Sequence, residues 1–169
     1  EGIGVFHTPG ANANAGKERG RAALLRTSRK IVDGIEGVRT LKGEGGDPAK
    51  LVEKGKSAFS GPGISGKKLG VIGLGAIGIL VANAAKSLGM EVYGYDPYIS
   101  IDAAWGLSRS IHHARTPDEI YVVSDYLTVH VPPPPHTREM INHESIATMQ
   151  AGARLTKFAA CPQLNTVVA

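Results

Sequence analysis

A glycine-rich turn between an apolar run and an apolar-periodic stretch constrains the fold of this chain more than any other feature. Residues 69–72 are apolar, and Gly73, Gly75 and Gly78 follow them at the spacing Gly-x-Gly-x-x-Gly. The run predicts a strand, the periodic stretch after the turn predicts a helix, and residues 91–95 predict a second strand. This order is typical of one strand–helix–strand unit of a parallel sheet.

The three glycines and a following acid favour a dinucleotide as the ligand. In such a unit Gly73 permits a tight turn, Gly75 lets the backbone approach a pyrophosphate, and Gly78 lets helix and strand pack closely. The amino end of the helix then offers N–H groups and a partial positive charge to the phosphates. Asp96 lies 18 residues after Gly78, where its carboxylate can accept hydrogen bonds from both ribose hydroxyls and would repel a 2′-phosphate. The residues therefore predict NAD in preference to NADP, against the alternative of a tight turn without a ligand.

Composition predicts one soluble cytoplasmic domain. The chain has 169 residues, of which 42% are hydrophobic and 20% charged, as in a globular domain with a substantial core. No stretch approaches the roughly 20 apolar residues of a membrane span. The lone cysteine, Cys161, excludes an internal disulfide and fits a reducing compartment. The net charge of +4 comes from basic residues scattered among acids, and no nucleic-acid-binding motif is present. We therefore expect neither a membrane nor a nucleic acid as a partner.

The elements on either side of the glycine-rich unit predict an α/β fold. Residues 12–42 have apolar side chains at helical spacing and predict one long amphipathic helix, whose internal glycines each weaken it by roughly 1 kcal/mol and thus require a partner surface. Further helices are predicted near residues 50–54, from about Ser100, after Thr116 and over 142–149, and further strands over 110–112, 126–131 and 153–158. Strands alternating with short helices predict a doubly wound parallel sheet covered on both faces.

Several of these stretches together resemble the D-2-hydroxyacid dehydrogenases, and the resemblance covers nearly the whole chain. It is carried by Thr8-Pro9-Gly10-Ala11-Asn12-Ala13-Asn14-Ala15, Ser28-Arg29-Lys30, Leu41-Lys42-Gly43-Glu44, the loop over residues 73–78, Gly94-Tyr95-Asp96-Pro97-Tyr98, Ala104-Trp105-Gly106 and Val129-His130-Val131-Pro132. The resemblance implies a Rossmann fold inserted into a discontinuous substrate domain. Residues 1–8 would then end a substrate-domain strand, and residues 9–169 would form the NAD-binding domain with residues 12–42 as its crossover helix. We expect the rest of the substrate domain to be absent from this chain.

The resemblance also implies an activity and an assembly. Members of this family pass hydride between the nicotinamide of NAD and carbon 2 of a 2-hydroxy or 2-oxo acid, and the best-matching members act on 3-phosphoglycerate at the first committed step of serine synthesis. The crossover helix would also pack against a second subunit, which implies a homodimer. A catalytically silent module that senses NAD or binds a partner is the alternative that stays open.

Matching positions imply which residues contact the cofactor. The N–H groups of Ala76 and Ile77 would bind the pyrophosphate, Asp96 the ribose, and Val131 and Pro132 the adenine and ribose side. The strand that begins near residue 153 would place its following residues under the nicotinamide. The complete expected set is Gly73, Gly75, Ala76, Ile77, Gly78, Asp96, Pro97, His130, Val131, Pro132, Phe158, Ala159 and Ala160.

No catalytic residue and no metal site is expected in the chain. The family's carboxylate-binding arginine lies in a Phe-Ala-Arg-Gly-Gly pattern, whereas this chain has Phe158-Ala159-Ala160-Cys161-Pro162, and alanine cannot bind a carboxylate bidentately. Arg154 should lie on the order of 20 Å away, at the opposite sheet edge. The family's glutamate and histidine are expected beyond Ala169. The adjacent His112 and His113 should point to opposite faces of a strand and so hold no metal.

Overall fold

A parallel sheet runs through the part of the chain that the computed structural model describes, residues 10–41, 45–132 and 140–157. Its strands are β1 (Lys68–Ile72), β2 (Glu91–Tyr95), β3 (His112–His113), β4 (Tyr126–Val129) and β5 (Arg154–Lys157). They lie in the order β3-β2-β1-β4-β5, and every neighbouring pair is parallel. The predicted doubly wound α/β fold is confirmed, and the order reverses between β1 and β4, where such sheets open a crevice for a ligand.

Helices cover both faces of the sheet and enclose two apolar cores. The α-helices of the described residues are α1 (Ala13–Arg29), α2 (Ile31–Thr40), α3 (Pro48–Gly55), α4 (Ala76–Ser87), α5 (Ile101–Trp105), α6 (Pro117–Val123) and α7 (His143–Thr148). Buried residues of α1 and α4 pack on one face with Leu69 and Val71 of β1. Residues of α6 and α7 pack on the other face with Ile72, Leu127 and Val129. Alternate strand residues thus enter opposite cores, as the strand period of two requires.

The crossover segment forms two helices, so the prediction of one helix over residues 12–42 is wrong in this respect. Helices α1 and α2 meet at Lys30, whose φ of 48° is left-handed and ends a helix. Gly61 passes close to the end of α1, because a Cβ on it would lie 1.8 Å from the Ser28 carbonyl oxygen. The helical spacing of apolar residues continues across the break, which is why periodicity alone did not reveal it.

Helix α1 has the partner surface that its glycines require. A Cβ on Gly16 or Gly20 would lie 3.0 or 3.1 Å from side-chain atoms of Ile77 or Val81, respectively. The two glycines therefore let α1 approach α4 closely. At its far end, the buried Ser28 hydroxyl pairs with the Tyr126 hydroxyl at 2.5 Å. This hydrogen bond attaches the crossover segment to the first residue of β4.

The short helices predicted after Thr116 and over residues 142–149 are confirmed, and each begins with a side-chain cap. Thr116 accepts a hydrogen bond from the Glu119 N–H at the start of α6, and Asn142 forms a reciprocal capping box with Ser145 at the start of α7. The strands are shorter than predicted: β4 ends at Val129, and β3 comprises only His112–His113. Among the helices of residues 10–41, 45–132 and 140–157, none has both the length and the apolar character for a membrane crossing.

Candidate cofactor site

The turn after β1 takes a conformation that only glycine adopts readily. Gly73 has a φ of +92°, and a Cβ there would lie 2.8 Å from the carbonyl carbon of His130. Its N–H donates to the Tyr95 carbonyl at 2.9 Å. The turn therefore lies against the carboxyl ends of β2 and β4 at the same time, which places it at the crevice between β1 and β4.

Gly78 and Gly75 are glycines for different physical reasons. A Cβ on Gly78 would lie 1.9 Å from the Gly73 carbonyl oxygen, so that position has room for hydrogen alone. Gly75 has an ordinary extended conformation, with φ −78° and ψ −165°. A Cβ on it would meet no heavy atom of the described residues within 4 Å. Neither packing nor backbone conformation requires glycine at Gly75, and the open space beside it fits the close approach of a phosphate group to the backbone.

The start of α4 adds a site for negative charge beside this open space. Gly75 is the N-cap, and Ala76 and Ile77 begin the helix, which is 12 residues long. The first N–H groups of a helix have no acceptor within the helix and carry a partial positive charge. Gly75 and Ala76 are exposed, so a dinucleotide pyrophosphate can reach these groups from solvent.

The Asp96 carboxylate is held next to the glycine loop. One of its oxygens accepts the Leu74 N–H at 2.8 Å, and the other accepts the Tyr98 N–H at 2.9 Å. A carboxylate oxygen has room for a second hydrogen bond, so ribose hydroxyls can still bind. Sequence reasoning gave Asp96 a role towards the ligand, whereas the structure adds a second role: its side chain ties the loop after β1 to the turn after β2. The alternation of strand residues contains no signal for this contact.

His130 follows β4 and stays neutral at physiological pH. Its backbone N–H donates to the Ile72 carbonyl at 2.8 Å. Its ring Nε2 pairs with the Thr128 hydroxyl at 3.0 Å. Burial lowers the pKa of His130 from 6.5 to about 4. The ring thus has a side-chain hydroxyl as its hydrogen-bond partner. A neutral ring so buried is suited to positioning the loop rather than to carrying a charge.

The structure brings most of the predicted cofactor residues to one edge of the sheet. Gly73 contacts His130, Asp96 contacts the loop, and Pro97, Val131 and Pro132 directly continue from β2 and β4. Parallel strands end at a common edge, which accounts for this convergence. The predicted residues Phe158, Ala159 and Ala160 lie outside the described residues.

Arg154 and the His112–His113 pair, which sequence reasoning set aside, lie on other strands of the sheet. Arg154 begins β5 at the opposite edge, where its guanidinium donates to the Tyr126 hydroxyl at 3.2 Å. His112 and His113 lie on the outermost strand, and the His112 ring stacks on Tyr93 with centroids 4.8 Å apart. Within residues 10–41, 45–132 and 140–157, no group of three His, Cys, Asp or Glu side chains is arranged to hold a metal ion.

The lowered pKa of His130 makes the free energy of unfolding decrease as the pH is lowered. Between pH 6.5, the ordinary histidine value, and pH 4, the unfolded chain takes up a proton that the folded chain excludes. The stability linked to the neutral ring is fully present above pH 6.5 and is lost as pH falls through 4. The two values correspond to about 3 kcal/mol of unfolding free energy.

Urea unfolding of the chain and of His130→Asn, each above pH 6.5 and near pH 4, measures this contribution. Asparagine retains a polar group beside Thr128 but does not titrate. We expect the variant to lose about 3 kcal/mol less stability than the parent chain across this interval. An equal loss in both proteins would show that the ring is not buried as a neutral group.

Comparison with known protein families identifies the domain. A model of the D-isomer specific 2-hydroxyacid dehydrogenase NAD binding domain matches residues 22–166. D-3-phosphoglycerate dehydrogenase of Synechocystis is 33% identical over 155 residues, which are 92% of this chain and 26% of that protein. The enzyme of the same name from Methanocaldococcus jannaschii is 33% identical over 159 residues, 94% of this chain and 28% of that protein. The chain thus spans about a quarter of the length of the curated relatives it matches.

Solved structures agree with this assignment. The pyruvate reductase of Chlamydomonas reinhardtii superposes with a TM-score of 0.79 at 28% identity, covering 99% of this chain and 45% of that chain. D-lactate dehydrogenase of Aquifex aeolicus, solved with NAD and lactic acid, superposes with a TM-score of 0.79 at 26% identity, covering 97% of this chain and 45% of that chain. NAD is the cofactor of the domain. The chain belongs to the D-isomer specific 2-hydroxyacid dehydrogenases and contains their NAD-binding domain.

Proposed function

We propose that this chain is the cofactor-binding part of an enzyme that oxidises 3-phosphoglycerate to 3-phosphohydroxypyruvate, a reaction of serine biosynthesis. The open backbone at Gly75, beside the start of α4, is the observation that carries the cofactor role. The substrate is supported by relatives named D-3-phosphoglycerate dehydrogenase at 31–33% identity over most of this chain. The oxidation belongs to the whole enzyme, and this chain by itself binds NAD.

The proposed contacts follow the order of the strand ends. The N–H groups of Ala76 and Ile77 bind the pyrophosphate, and the Asp96 carboxylate binds the ribose of the adenosine half. Pro97, Val131 and Pro132 line the adenine and ribose side. His130 stays neutral and holds the end of β4 against the glycine turn. Phe158, Ala159 and Ala160 follow β5 under the nicotinamide, where NAD when bound supplies the acceptor for a hydride.

A catalytically silent NAD-binding module is the second candidate, and Ala160 favours it, because the family's carboxylate-binding arginine is missing there. The two candidates differ in turnover. We expect a chimera in which this chain replaces the matching part of the Synechocystis enzyme to form NADH with 3-phosphoglycerate more slowly than the parent enzyme, because Ala160 replaces the carboxylate-binding arginine, and to form much less with D-lactate. The parent enzyme is the control. NAD binding by the chimera without NADH formation from either acid would favour the silent module.

Calorimetric titration with NAD and with NADP tests the cofactor site. We expect the unaltered chain to prefer NAD, because Asp96 repels a 2′-phosphate. Gly75→Val should raise the Kd for NAD at least about tenfold, or 1.4 kcal/mol, without lowering the melting temperature, because its side chain enters open space.

Gly63→Val is the matched control, since a Cβ on Gly63 also meets no described atom within 4 Å but Gly63 lies outside the loop. It should bind NAD like the unaltered chain. An unchanged Kd in Gly75→Val would remove the loop from the site, and no binding by the unaltered chain would refute the proposed cofactor role.

We also propose that two copies of the chain pair through α2. The exposed apolar side chains Ile31, Ile35 and Val38 are 45%, 49% and 53% accessible, and their spacing places them on one face of the helix. Within α2 no residue is buried, although its composition is that of a helix with an apolar face. A second copy would cover this face, as the family's crossover helix implies.

Sedimentation of Val38→Asp and Val122→Asp tests this pairing. Both valines are about equally exposed, at 53% and 55%, but Val122 lies on α6, away from the proposed interface. We expect Val38→Asp to sediment as a monomer and Val122→Asp as a dimer, because an interface that buries a carboxylate without a partner is strongly destabilised. A dimer in both variants would place the interface elsewhere.

A further inference from the structure

Lys157, the last described residue of β5, has a buried amine nitrogen with no hydrogen-bond partner among the described residues. Among the side chains of residues 10–41, 45–132 and 140–157, the Lys157 Nζ is the buried polar atom for which no hydrogen-bond partner is present. The ion pairs found in these residues join Arg39 to Glu36, Lys56 to Glu53, and Lys67 to Asp125. A buried ammonium is strongly unfavourable unless an anion or several acceptors satisfy it. The unsatisfied amine therefore indicates a binding site for an anionic ligand.

The register of the sheet places Lys157 at the edge where the strands of the site end. Lys157 pairs with Val129, and Val129 pairs with Ile72. The three residues end β5, β4 and β1 at the edge where the glycine turn and His130 lie. Leu155, two residues earlier, packs against the core under α6 and α7, so Lys157 begins on that same face of the sheet.

The proposed course of NAD across this edge separates Lys157 from the cofactor phosphates. Asp96, at the end of β2, marks the adenosine half, and the loop after β1 marks the pyrophosphate. The nicotinamide half then continues over β4 and β5. Lys157 is two strands from β1, or about 10 Å to the side, and so lies at the nicotinamide end, where the substrate acid must bind for hydride transfer.

We propose that the Lys157 amine binds the carboxylate of the 2-hydroxy or 2-oxo acid. The inference rests on the proposed cofactor site. A lysine ammonium binds a carboxylate as a point charge, without the paired geometry of a guanidinium. It supplies the positive charge that alanine at position 160 cannot. The residue is thereby a substrate-binding residue of this chain at a position that the resemblance did not single out.

The test uses the chain saturated with NAD and titrated with oxamate, an unreactive analogue of a 2-oxo acid. We expect oxamate to bind the unaltered chain, Lys157→Met to weaken binding at least about tenfold, and Lys157→Arg to retain binding, because arginine preserves the charge. The Kd for NAD should be the same in all three proteins. The melting temperature of Lys157→Met should not fall, since the substitution removes a buried amine that has no partner among the described residues.

Each other result overturns the assignment in a recognisable way. Equal oxamate affinity in Lys157→Met, or no oxamate binding by the unaltered chain with NAD bound, excludes Lys157 as the carboxylate ligand. Weaker NAD binding in Lys157→Met would assign the amine to the cofactor phosphates instead. Failure of the unaltered chain to bind NAD refutes the cofactor site itself, which is a separate outcome. If Lys157→Met does not fold, the ¹⁵Nζ shift of Lys157 must respond to oxamate in the unaltered chain, and a constant shift excludes the contact.

Discussion

The close contact between Gly73 and Gly78 is the constraint on which the cofactor site depends. The Gly73 carbonyl oxygen occupies the place of a Cβ at Gly78, so α4 can begin directly above the end of β1. This proximity places the helix start at the crevice between β1 and β4, where its N–H groups can meet phosphate. The open side of Gly75 then remains for the ligand, because the tight turn and the close helix–strand contact are formed at Gly73 and Gly78.

The site is held by the ends of several strands rather than by the loop alone. The Asp96 carboxylate accepts two backbone N–H groups and fixes the turn after β2 against the loop after β1. His130 lies against Gly73 from the other side, and its ring is anchored by Thr128. These contacts pre-organise the crevice, so that binding of a dinucleotide needs little rearrangement of the backbone.

The crossover segment is attached to the same sheet at its opposite edge. The Ser28 and Tyr126 hydroxyls meet in the interior, and the Arg154 guanidinium lies 5.3 Å above the Tyr126 ring. Helix α1 is thus bound to β4 and, through Arg154, to β5. Helix α2 leaves this contact at Lys30 with its apolar side chains exposed. One segment therefore packs on the domain over its first part and exposes apolar side chains over its second.

The sequence by itself determined the strand–helix–strand unit, the glycine roles, the positions of the short helices and the ligand class, because each depends on residues close together in the chain. Steric freedom at Gly73 and capping at Thr116 are local properties, and local spacing reveals them. Only the tertiary structure decided the break at Lys30, the anchoring of Asp96 by Leu74, and the burial of the Lys157 amine with no hydrogen-bond partner among the described residues. These features arise where segments distant in sequence meet, and neither periodicity nor motif spacing records which backbone groups face one another across the fold.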